Sequence, residues 1–477
     1  MPMRFASCWL FWAALLVLTA LAGCGGNSSV TTCKGSDGSY SAAACAATGG
    51  STSTVTLDTP TGSNTTEVIV DAGPASFSMG TANVPFVTVT VCPPNSGPAS
   101  ASACVTIDHI FLDTGSYGLR LLKSGVARLS LPALTLAANA QFNTPGGTAV
   151  ECYPFVLGGV WGPLAQADVH IAGETATAIP IQVIDDGANP ALTPPADCNS
   201  AAGGSLFSNA ASLQANGILG IGMIPYDCGL TCTSPLNYAG FHIQYYVCPD
   251  SVTANCQAAA VAAEQQVQNP LAHFVPDDGN PENPGLADNN GSIISLPALS
   301  PVGAGVAKGR LVFGIGTRSN NQIGRDAKTI FADANPASLS YLYFTTTLGQ
   351  TNYPDSYIDS GSNAYFFDDA AISQTCAGSS GNAGTSGWYC PAGSTPVALN
   401  AILTDSQIPS NTAQVNFSIA NADTLFSTSS TAFNNLGGSI TAAPRTFVWG
   451  LSFFFGRSVY TSIWGQWLST NGPWNAF

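Results

Sequence analysis

The chain has 477 residues, more than one ordinary hydrophobic core accommodates, so we expect two lobes or one lobe with large insertions. Its 12 Lys and Arg residues form no basic run, and the formal net charge of -15 argues against nucleic-acid binding, which needs clustered cations. Only 8% of the residues are charged, whereas Gly and Pro are abundant, so the composition favours short strands joined by tight turns.

The N-terminal residues predict an export signal. Arg4 is followed by an apolar stretch over residues 9–18 and then by a Leu-Ala-Gly-Cys sequence that ends at Cys24. This sequence resembles the bacterial lipobox, which implies a lipoprotein signal peptide over residues 1–23 and lipidation of Cys24. Because Gly rather than Asp follows the cysteine, the resemblance implies an outer-membrane anchor, at the periplasmic face or the cell surface. An ordinary signal peptide with a chance cysteine is the alternative.

Residues 24–65 are rich in Ser, Thr, Gly and Ala and show no hydrophobic period, so we expect a flexible tether between the lipid and the folded protein. From residue 66 onward, runs of alternating or continuous hydrophobic residues predict strands, for example over 86–91 and 105–112. We expect residues 66–317 to form an N-terminal lobe with a Cys-rich insertion, and residues 318–477 a C-terminal lobe. Residues 258–268, within that insertion, are the best helix candidate.

The cysteines predict disulfide bonds. The sequence has 14 cysteines, and an even number remains once Cys8 and the lipidated Cys24 are set aside. The local pairs that we expect are Cys92–Cys104, Cys33–Cys45 and Cys376–Cys390. A zinc cluster formed by the four cysteines between residues 228 and 256 is an alternative, but an exported chain with only four histidines favours disulfides.

Two further groups of residues offer metal ligands, but structural roles are favoured for both. The acidic segment over residues 276–290 offers oxygen ligands for calcium, but it lacks EF-hand spacing, so a solvated loop is favoured. The four histidines show no metal-ligand spacing, and a packing role is favoured for His109, which lies shortly before the end of a predicted strand. We therefore expect no metal and no cofactor.

One motif occurs twice. A predicted strand that ends at Leu112 runs into Asp-Thr-Gly-Ser, and a second strand that ends at Ile358 runs into Asp-Ser-Gly-Ser. Downstream of each copy, two hydrophobic residues precede a glycine, in Ile218–Gly220 and in Val448–Gly450. A single triplet is weak evidence, since roughly one in every two or three chains this rich in Ser, Thr and Gly has one by chance. Two copies with matching partners indicate an internal duplication.

The repeated motif and its partners resemble those of the pepsin-like aspartic peptidases, over most of residues 66–477. The resemblance implies an all-β, mainly antiparallel, bilobal fold with pseudo-two-fold related lobes. It also implies that Asp113 and Asp359 are a catalytic pair that shares one proton, because two carboxylates held close together do not both ionise. Supporting roles fall on the hydroxyls and glycines of the two loops: Thr114, Gly115, Ser116, Ser360, Gly361 and Ser362.

The resemblance further implies a hairpin flap over the cleft. Aligning the sequence on Val160–Gly162 places Phe155 where the family has a tyrosine, and Tyr153 lies two residues earlier on the same strand face. A phenylalanine excludes water but does not donate a hydrogen bond. Residues 25–65 contain a single basic residue, Lys34, in contrast to the basic prosegment of many relatives.

Two functions follow as expectations. The first is a monomeric aspartic endopeptidase that acts on peptide or protein substrates and is tethered to the membrane by its lipid. The alternative is a catalytically inactive surface or binding lipoprotein that keeps the aspartic-peptidase fold. The two aspartates and their hydroxyls favour the enzyme, whereas the unusual flap and the missing basic prosegment favour the binding protein.

Overall fold

The computed structural model describes most of the chain from residue 53 onward, together with the backbone of residues 33–34 and 40–41. The described ranges are 53–57, 62–75, 81–96, 102–139, 144–189, 192–228, 232–233, 244–249, 255–275, 287–333, 342–369, 372, 375–376, 387–465 and 473–477. The expected signal peptide, Cys24 and Cys45 lie outside these residues. Within the described ranges, no helix combines the length and apolar character that a membrane span requires.

Strands dominate the structure, and the expected all-β class is confirmed. In the first half of the chain they are β1 (Cys33–Lys34), β2 (Tyr40–Ser41), β3 (Thr54–Thr56), β4 (Thr65–Val70), β5 (Pro85–Cys92), β6 (Val105–Asp113), β7 (Tyr117–Leu122), β8 (Thr135–Leu136), β9 (Gly147–Phe155), β10 (Gly158–Ile171), β11 (Glu174–Ile184), β12 (Gly217–Ile221), β13 (Tyr245–Cys248) and β14 (Gln257–Ala258).

The second half of the chain is also built from strands. They are β15 (Gly291–Ser295), β16 (Val306–Phe313), β17 (Thr329–Phe331), β18 (Phe344–Leu348), β19 (Thr351–Ile358), β20 (Tyr365–Phe366), β21 (Val397–Thr404), β22 (Thr412–Ile419), β23 (Gly437–Gly438), β24 (Val448–Trp449), β25 (Ser458–Ser462) and β26 (Trp474–Ala476). The α-helices are short: α1 (Lys123–Val126), α2 (Ala196–Ala201), α3 (Ala210–Leu213), α4 (Ala422–Phe426) and α5 (Leu451–Phe454). Single 3-10 turns span Ala263–Gln265, Pro270–His273 and Ser319–Asn321.

Strand β6 carries the first Asp motif into the middle of a sheet. It pairs with β5 in antiparallel and with β12 in parallel orientation, and it buries the apolar residues that alternate along it. After the turn at residues 113–116, β7 runs back antiparallel to β12. The hydrophobic-hydrophobic-Gly segment therefore lies between the two strands that flank the Asp turn, with Gly220 in register with Asp113.

The second Asp motif has the same surroundings in another sheet. Strand β19 pairs in parallel with β24, and after the turn at residues 359–362, β20 runs antiparallel to β24. The full order of this sheet is β22-β21-β18-β19-β24-β20-β23. Its interior is aromatic, because Phe447 stacks on Trp449 at 4.4 Å between ring centroids and Tyr365 meets Trp449 edge-on at 5.8 Å. The duplication that the sequence predicts is thus present in the strand pairing.

A third group of strands joins distant parts of the chain. Strand β16 pairs with β3, β4 and β15, β15 pairs with β25, and β26 lies between β25 and β17. Strands from both sides of residue 317 therefore share one sheet, so the expected boundary between the lobes runs through it. Strand β3 also lies within the expected tether, whose residues 54–56 pair with residues 306–308 and belong to the folded protein.

Disulfide bonds are present as expected. Cys92–Cys104 and Cys376–Cys390 are confirmed. The four cysteines that were weighed as a zinc cluster instead form Cys228–Cys232 and Cys248–Cys256, and the remaining described bond is Cys152–Cys198.

The prediction of a helix over residues 258–268 is wrong. This segment holds the end of β14 and the 3-10 turn at Ala263–Gln265. Its backbone N–H groups bond to distant partners: Ala259 donates to the Tyr245 carbonyl and Val261 to the Cys232 carbonyl. Hydrogen bonds to distant segments therefore decide the conformation here, because helix propensity predicts local structure only weakly.

Candidate active site

The two expected aspartates lie together where the Asp turns of the two sheets meet. Asp113 ends β6, and Asp359 directly follows β19, with its N–H donating to the Trp449 carbonyl at 3.0 Å. Both residues are buried, at 6% and 8% exposure. Their carboxyl groups approach each other closely, because a Cβ atom on Gly361 would collide with Asp113 Oδ1 and lie 3.1 Å from Asp359 Oδ1. The geometry therefore offers an acid and a base at one point.

Reciprocal hydrogen bonds lock the two turns to each other. The Thr114 N–H donates to Ser360 Oγ at 3.0 Å, and the Ser360 N–H donates to Thr114 Oγ1 at 2.9 Å. Ser360 Oγ also donates to the Leu112 carbonyl at 2.8 Å. Each small hydroxyl thus accepts the backbone donor of the opposite loop. The bonds fix the distance between the aspartates, as the sequence resemblance implies.

Further donors orient each carboxyl group. Ser116 Oγ donates to Asp113 Oδ2 at 2.5 Å, and Ser362 makes the same bond to Asp359 at 2.6 Å. In each loop, the N–H group of the glycine donates to the other carboxyl oxygen, Oδ1, at 2.7 Å. Both carboxyl groups therefore have their rotation restricted, which is the support that a catalytic group needs.

The glycine of each loop faces the aspartate of the other. A Cβ atom on Gly115 would lie 2.6 Å from Asp359 Oδ1, and one on Gly361 would collide with Asp113 Oδ1. Any larger residue would therefore push the two carboxyl groups apart. The close approach of the loops, rather than a special backbone angle, is what requires glycine here.

Burial raises the pKa of Asp359 to about 8, and the neighbouring charge of Asp113 raises it further in the same direction. Ser362 and the Gly361 N–H oppose this rise, because they donate to the ionised form. A carboxyl group with this pKa keeps its proton at neutral pH. The site therefore keeps a proton on Asp359 at neutral pH, as expected where two carboxyl groups share one buried site.

Tyrosines surround the aspartates. Burial raises the pKa of Tyr117 and Tyr357 well above the usual range, and the charges of Asp113 and Asp359 add to the rise in both. Tyr343 stacks obliquely on Tyr357, at 5.9 Å between centroids. Buried phenol groups therefore lie close enough to the two carboxyl groups for their charges to interact. Sequence reasoning missed these residues, although Tyr117 directly follows the first motif and Tyr357 lies two residues before the second.

The expected flap is a hairpin. Strands β9 and β10 are joined by a turn at Val156 and Leu157, and both turn side chains are exposed. Phe155 ends β9 and packs beside Tyr153, with ring centroids 5.0 Å apart. Burial raises the pKa of Tyr153, and the charge of Asp113 adds to the rise. Both rings pack against the same cluster of buried hydrophobic residues, so Tyr153 and Phe155 both stay candidates for the flap.

A family model described as Protein of unknown function (DUF3443) matches residues 60–477, which include both Asp turns and the hairpin. The chain belongs to this family. No curated protein matches the sequence.

A buried charged cluster adjoins the site in this DUF3443 member. Arg120 Nη2 lies 2.6 Å from Glu151 Oε1 and 3.3 Å from Asp227 Oδ2, and none of the three side chains is exposed. Tyr245 donates its hydroxyl to Asp227 Oδ2 at 2.7 Å. Sequence reasoning missed the cluster. A signal was available, since Arg120 stands inside a hydrophobic strand of a chain with few cations.

Metal-binding groups are not apparent among the described residues. The one group of clustered potential ligands is Cys376, Cys390 and Asp423, and its two cysteines are joined in a disulfide. Asp288, weighed as a calcium ligand, is buried and bonded to Thr317 and Arg318. The other acidic residues of that segment lie outside the described ranges.

Proposed function

We propose that this protein is an aspartic-type endopeptidase that hydrolyses peptide bonds with a water molecule activated between Asp113 and Asp359. The observation that carries the proposal is the pair of buried carboxyl groups, each oriented by a serine and a glycine, on two loops locked by reciprocal bonds. The resemblance of the motifs to those of pepsin-like peptidases supports the same conclusion. So does the repeated strand arrangement, which fits a bilobal fold with related lobes.

The chemistry follows from one shared proton. The ionised carboxyl accepts a proton from water as the water oxygen bonds to the peptide carbon, and the protonated carboxyl gives its proton to the carbonyl oxygen. The resulting tetrahedral intermediate collapses when the carbon–nitrogen bond breaks. The proton taken from water then passes to the leaving nitrogen, and the hydroxyl proton returns to the pair. The two carboxyls thus end the cycle as they began it.

The test is hydrolysis of a diverse peptide library by the mature protein across acid to weakly alkaline pH. We expect a bell-shaped rate whose alkaline limb lies near the pKa of about 8 of Asp359, because loss of the shared proton removes the acid. Asp113→Asn and Asp359→Asn should each abolish turnover, and the double variant should be no worse, since the pair acts as a unit. Asp355→Asn, a change at a surface ion pair with Arg445, is the matched control and should keep full activity.

A binding protein is the second candidate, and the anchoring of the flap favours it. Strand β9 is paired on both sides, by β10 and β13, and Cys152, next to Tyr153, is bonded to Cys198. Such a hairpin opens less easily than a free one. A statine-type mimic, with its hydroxyl between the carboxyls, should bind either protein. Binding without any cleavage of the library would select the binding protein, and equal binding to wild type and Asp→Asn variants would reject both.

We propose that the protein is exported and anchored by lipid at Cys24, in the outer membrane, and that it works as a monomer without cofactor. The disulfide bonds support an oxidising compartment. Cys24→Ser should leave the protein soluble or unprocessed, and unchanged fractionation with membranes would argue against the anchor.

A further inference from the structure

Arg120 is a fully buried charge in the middle of a hydrophobic strand. It lies in β7 between Leu119 and Leu121, and its guanidinium makes two bonds to Glu151, at 2.6 and 3.2 Å. Burying an ion pair costs much of what its attraction returns, and hydrophobic residues of similar volume often serve stability equally well. The presence of Arg120 therefore calls for a reason other than filling the core.

The guanidinium also stacks on the flap. Its central carbon lies 3.8 Å from the centroid of the Tyr153 ring, well inside the range of a cation–π contact. Glu151 and Tyr153 are two residues apart on β9, so their side chains project from the same face of the strand. Arg120 meets both at once, because the edge of its planar group binds the carboxylate while its face covers the phenol ring.

The same side chain reaches the catalytic loop. Arg120 Nη1 donates to the Tyr117 carbonyl at 2.6 Å, directly after the Asp turn. The phenol of Tyr117 is close to that of Tyr153, whose charge contributes to the raised pKa of Tyr117 after burial, the largest cause. Arg120 therefore connects the flap strand to the loop that carries Asp113. A side chain with only a packing role needs neither contact.

Asp227 completes the support of the guanidinium. Burial raises the pKa of Asp227 well above its usual value, and the nearby Glu151 charge raises it further. Arg120 Nη2 lies 3.3 Å from Asp227 Oδ2, so this carboxyl group borders the guanidinium beside Glu151. Tyr245 links Asp227 to the N–H of Val267, at 2.7 and 2.8 Å, which fixes the cluster to the segment after β14.

We propose that Arg120 is a positioning residue that holds Tyr153 over the aspartate pair. The proposal rests on the peptidase function proposed above and extends it to the residue that sets the flap. The face of the Tyr153 ring lies against the guanidinium, and its strand is paired with β10 up to the flap turn. A ring fixed in this way presents its hydroxyl in one place, from which we infer that it meets a substrate bound at the aspartate pair.

Arg120→Lys tests the role, because lysine keeps the charge and loses the planar fork. Misplacing a group in an active site costs roughly 10- to 100-fold in rate, so we expect a fall of that size in kcat with little change in KM.

Arg318→Lys is the matched control. Arg318 is also buried between two carboxylates, Asp288 and Glu174, but it is part of a different cluster. We expect it to lower stability and to leave kcat unchanged. Equal losses of kcat in both variants would overturn the proposal.

A double-variant cycle separates positioning from general damage. In a Tyr153→Ala background, Arg120→Lys should lower kcat by less than about threefold, because the group that it positions is gone. Fully additive losses would show that Arg120 acts by another route. If Arg120→Lys does not fold, Arg120→Met with Glu151→Gln removes both charges together and should show the same loss of kcat.

Amide hydrogen exchange separates this proposal from the proposed function. Arg120→Lys should speed exchange in the flap strand, residues 147–155, and leave the strand over 351–358 protected as in wild type. If wild type cleaves no peptide, the peptidase proposal fails while the exchange result still decides the position of the flap. Unchanged exchange in the flap strand would overturn the role of Arg120 whatever the activity.

Discussion

Replacing Asp359 with Asn should make the protein more stable at neutral pH while it destroys activity. Asn has nearly the same shape and no charge. Its side-chain oxygen can accept the Gly361 N–H bond, and the Ser362 hydroxyl can rotate to accept from the new amide. The substitution therefore removes ionisation from the site with little change in packing.

The size of the effect follows from the pKa of Asp359, which rises from 3.8 to about 8 on folding. Between these values the folded protein holds a proton that the unfolded chain has lost, so stability falls as pH rises through this range. At 1.36 kcal/mol for each pKa unit, the loss from this group approaches about 4 kcal/mol at pH 7 relative to acid pH. The Asp359→Asn variant has no carboxyl group at this position, so its free energy of unfolding does not fall with pH for this reason. Its advantage over wild type should be near zero below the pKa of the unfolded chain and should grow with pH.

Denaturant unfolding of wild type and variant at several pH values measures this difference. The gap between the two free energies of unfolding should widen steadily from mild acid to neutral pH. Asp355→Asn, at the exposed ion pair with Arg445, should change stability by less than about 1 kcal/mol at every pH. A gap for Asp359→Asn that is constant with pH, or a variant less stable than wild type at pH 7, would refute the reasoning.

Two further predictions concern contacts outside the aspartate pair. Asn83 is buried at a left-handed backbone position, and its side-chain amide makes four hydrogen bonds to the second half of the chain. Asn83→Ala should therefore lower the free energy of unfolding by about 3 kcal/mol or more. Denaturant unfolding measures the loss, and Asn83→Asp, which keeps the acceptor, is the comparison. Replacing Cys152 and Cys198 with Ser should speed amide exchange in the flap strand more than the equivalent change at Cys92 and Cys104, and equal exchange in the two variants would show that strand pairing alone holds the flap.

The central site could be predicted from the sequence because the motif is repeated. Each Asp turn follows a hydrophobic strand, and a hydrophobic-hydrophobic-Gly segment lies beside each one, in register with the residues before or at the aspartate. The roles of Thr114 and Ser360 followed from the resemblance of the motifs to those of the pepsin-like peptidases, and the two residues bond each other's loops. These bonds join loops 246 residues apart, so the repeat predicts the partners and the meeting of the two sheets sets the geometry.

The flap was harder to predict because the position of a turn sets which side chain faces the cleft. Aligning on residues 160–162 drew attention to Phe155, which is the last residue before the turn. The pairing of Tyr153 with Val160 places the tyrosine further back along the strand, next to Arg120. Its surroundings depend on a residue of another strand, and hydrophobic periodicity carries no information about that partner.

The two buried arginines show where sequence patterns carry least information in this chain. A lone arginine usually occupies a solvent-facing position, yet Arg120 in β7 and Arg318 in the turn after β16 each lie between two carboxylates contributed by distant segments. Apolar residues of similar volume at these positions would be expected to stabilise the fold about equally, because burying a charge costs desolvation free energy. In a chain with only 12 cations, two that occupy the interior are unavailable for its acidic surface. Arg318 joins Ser63, Glu174 and Asp288, which come from three separate segments, whereas Arg120 joins the flap strand to the loop that carries Asp113. A buried arginine between two carboxylates therefore joins separate segments of the fold at one site and, as we propose, positions the flap at the other.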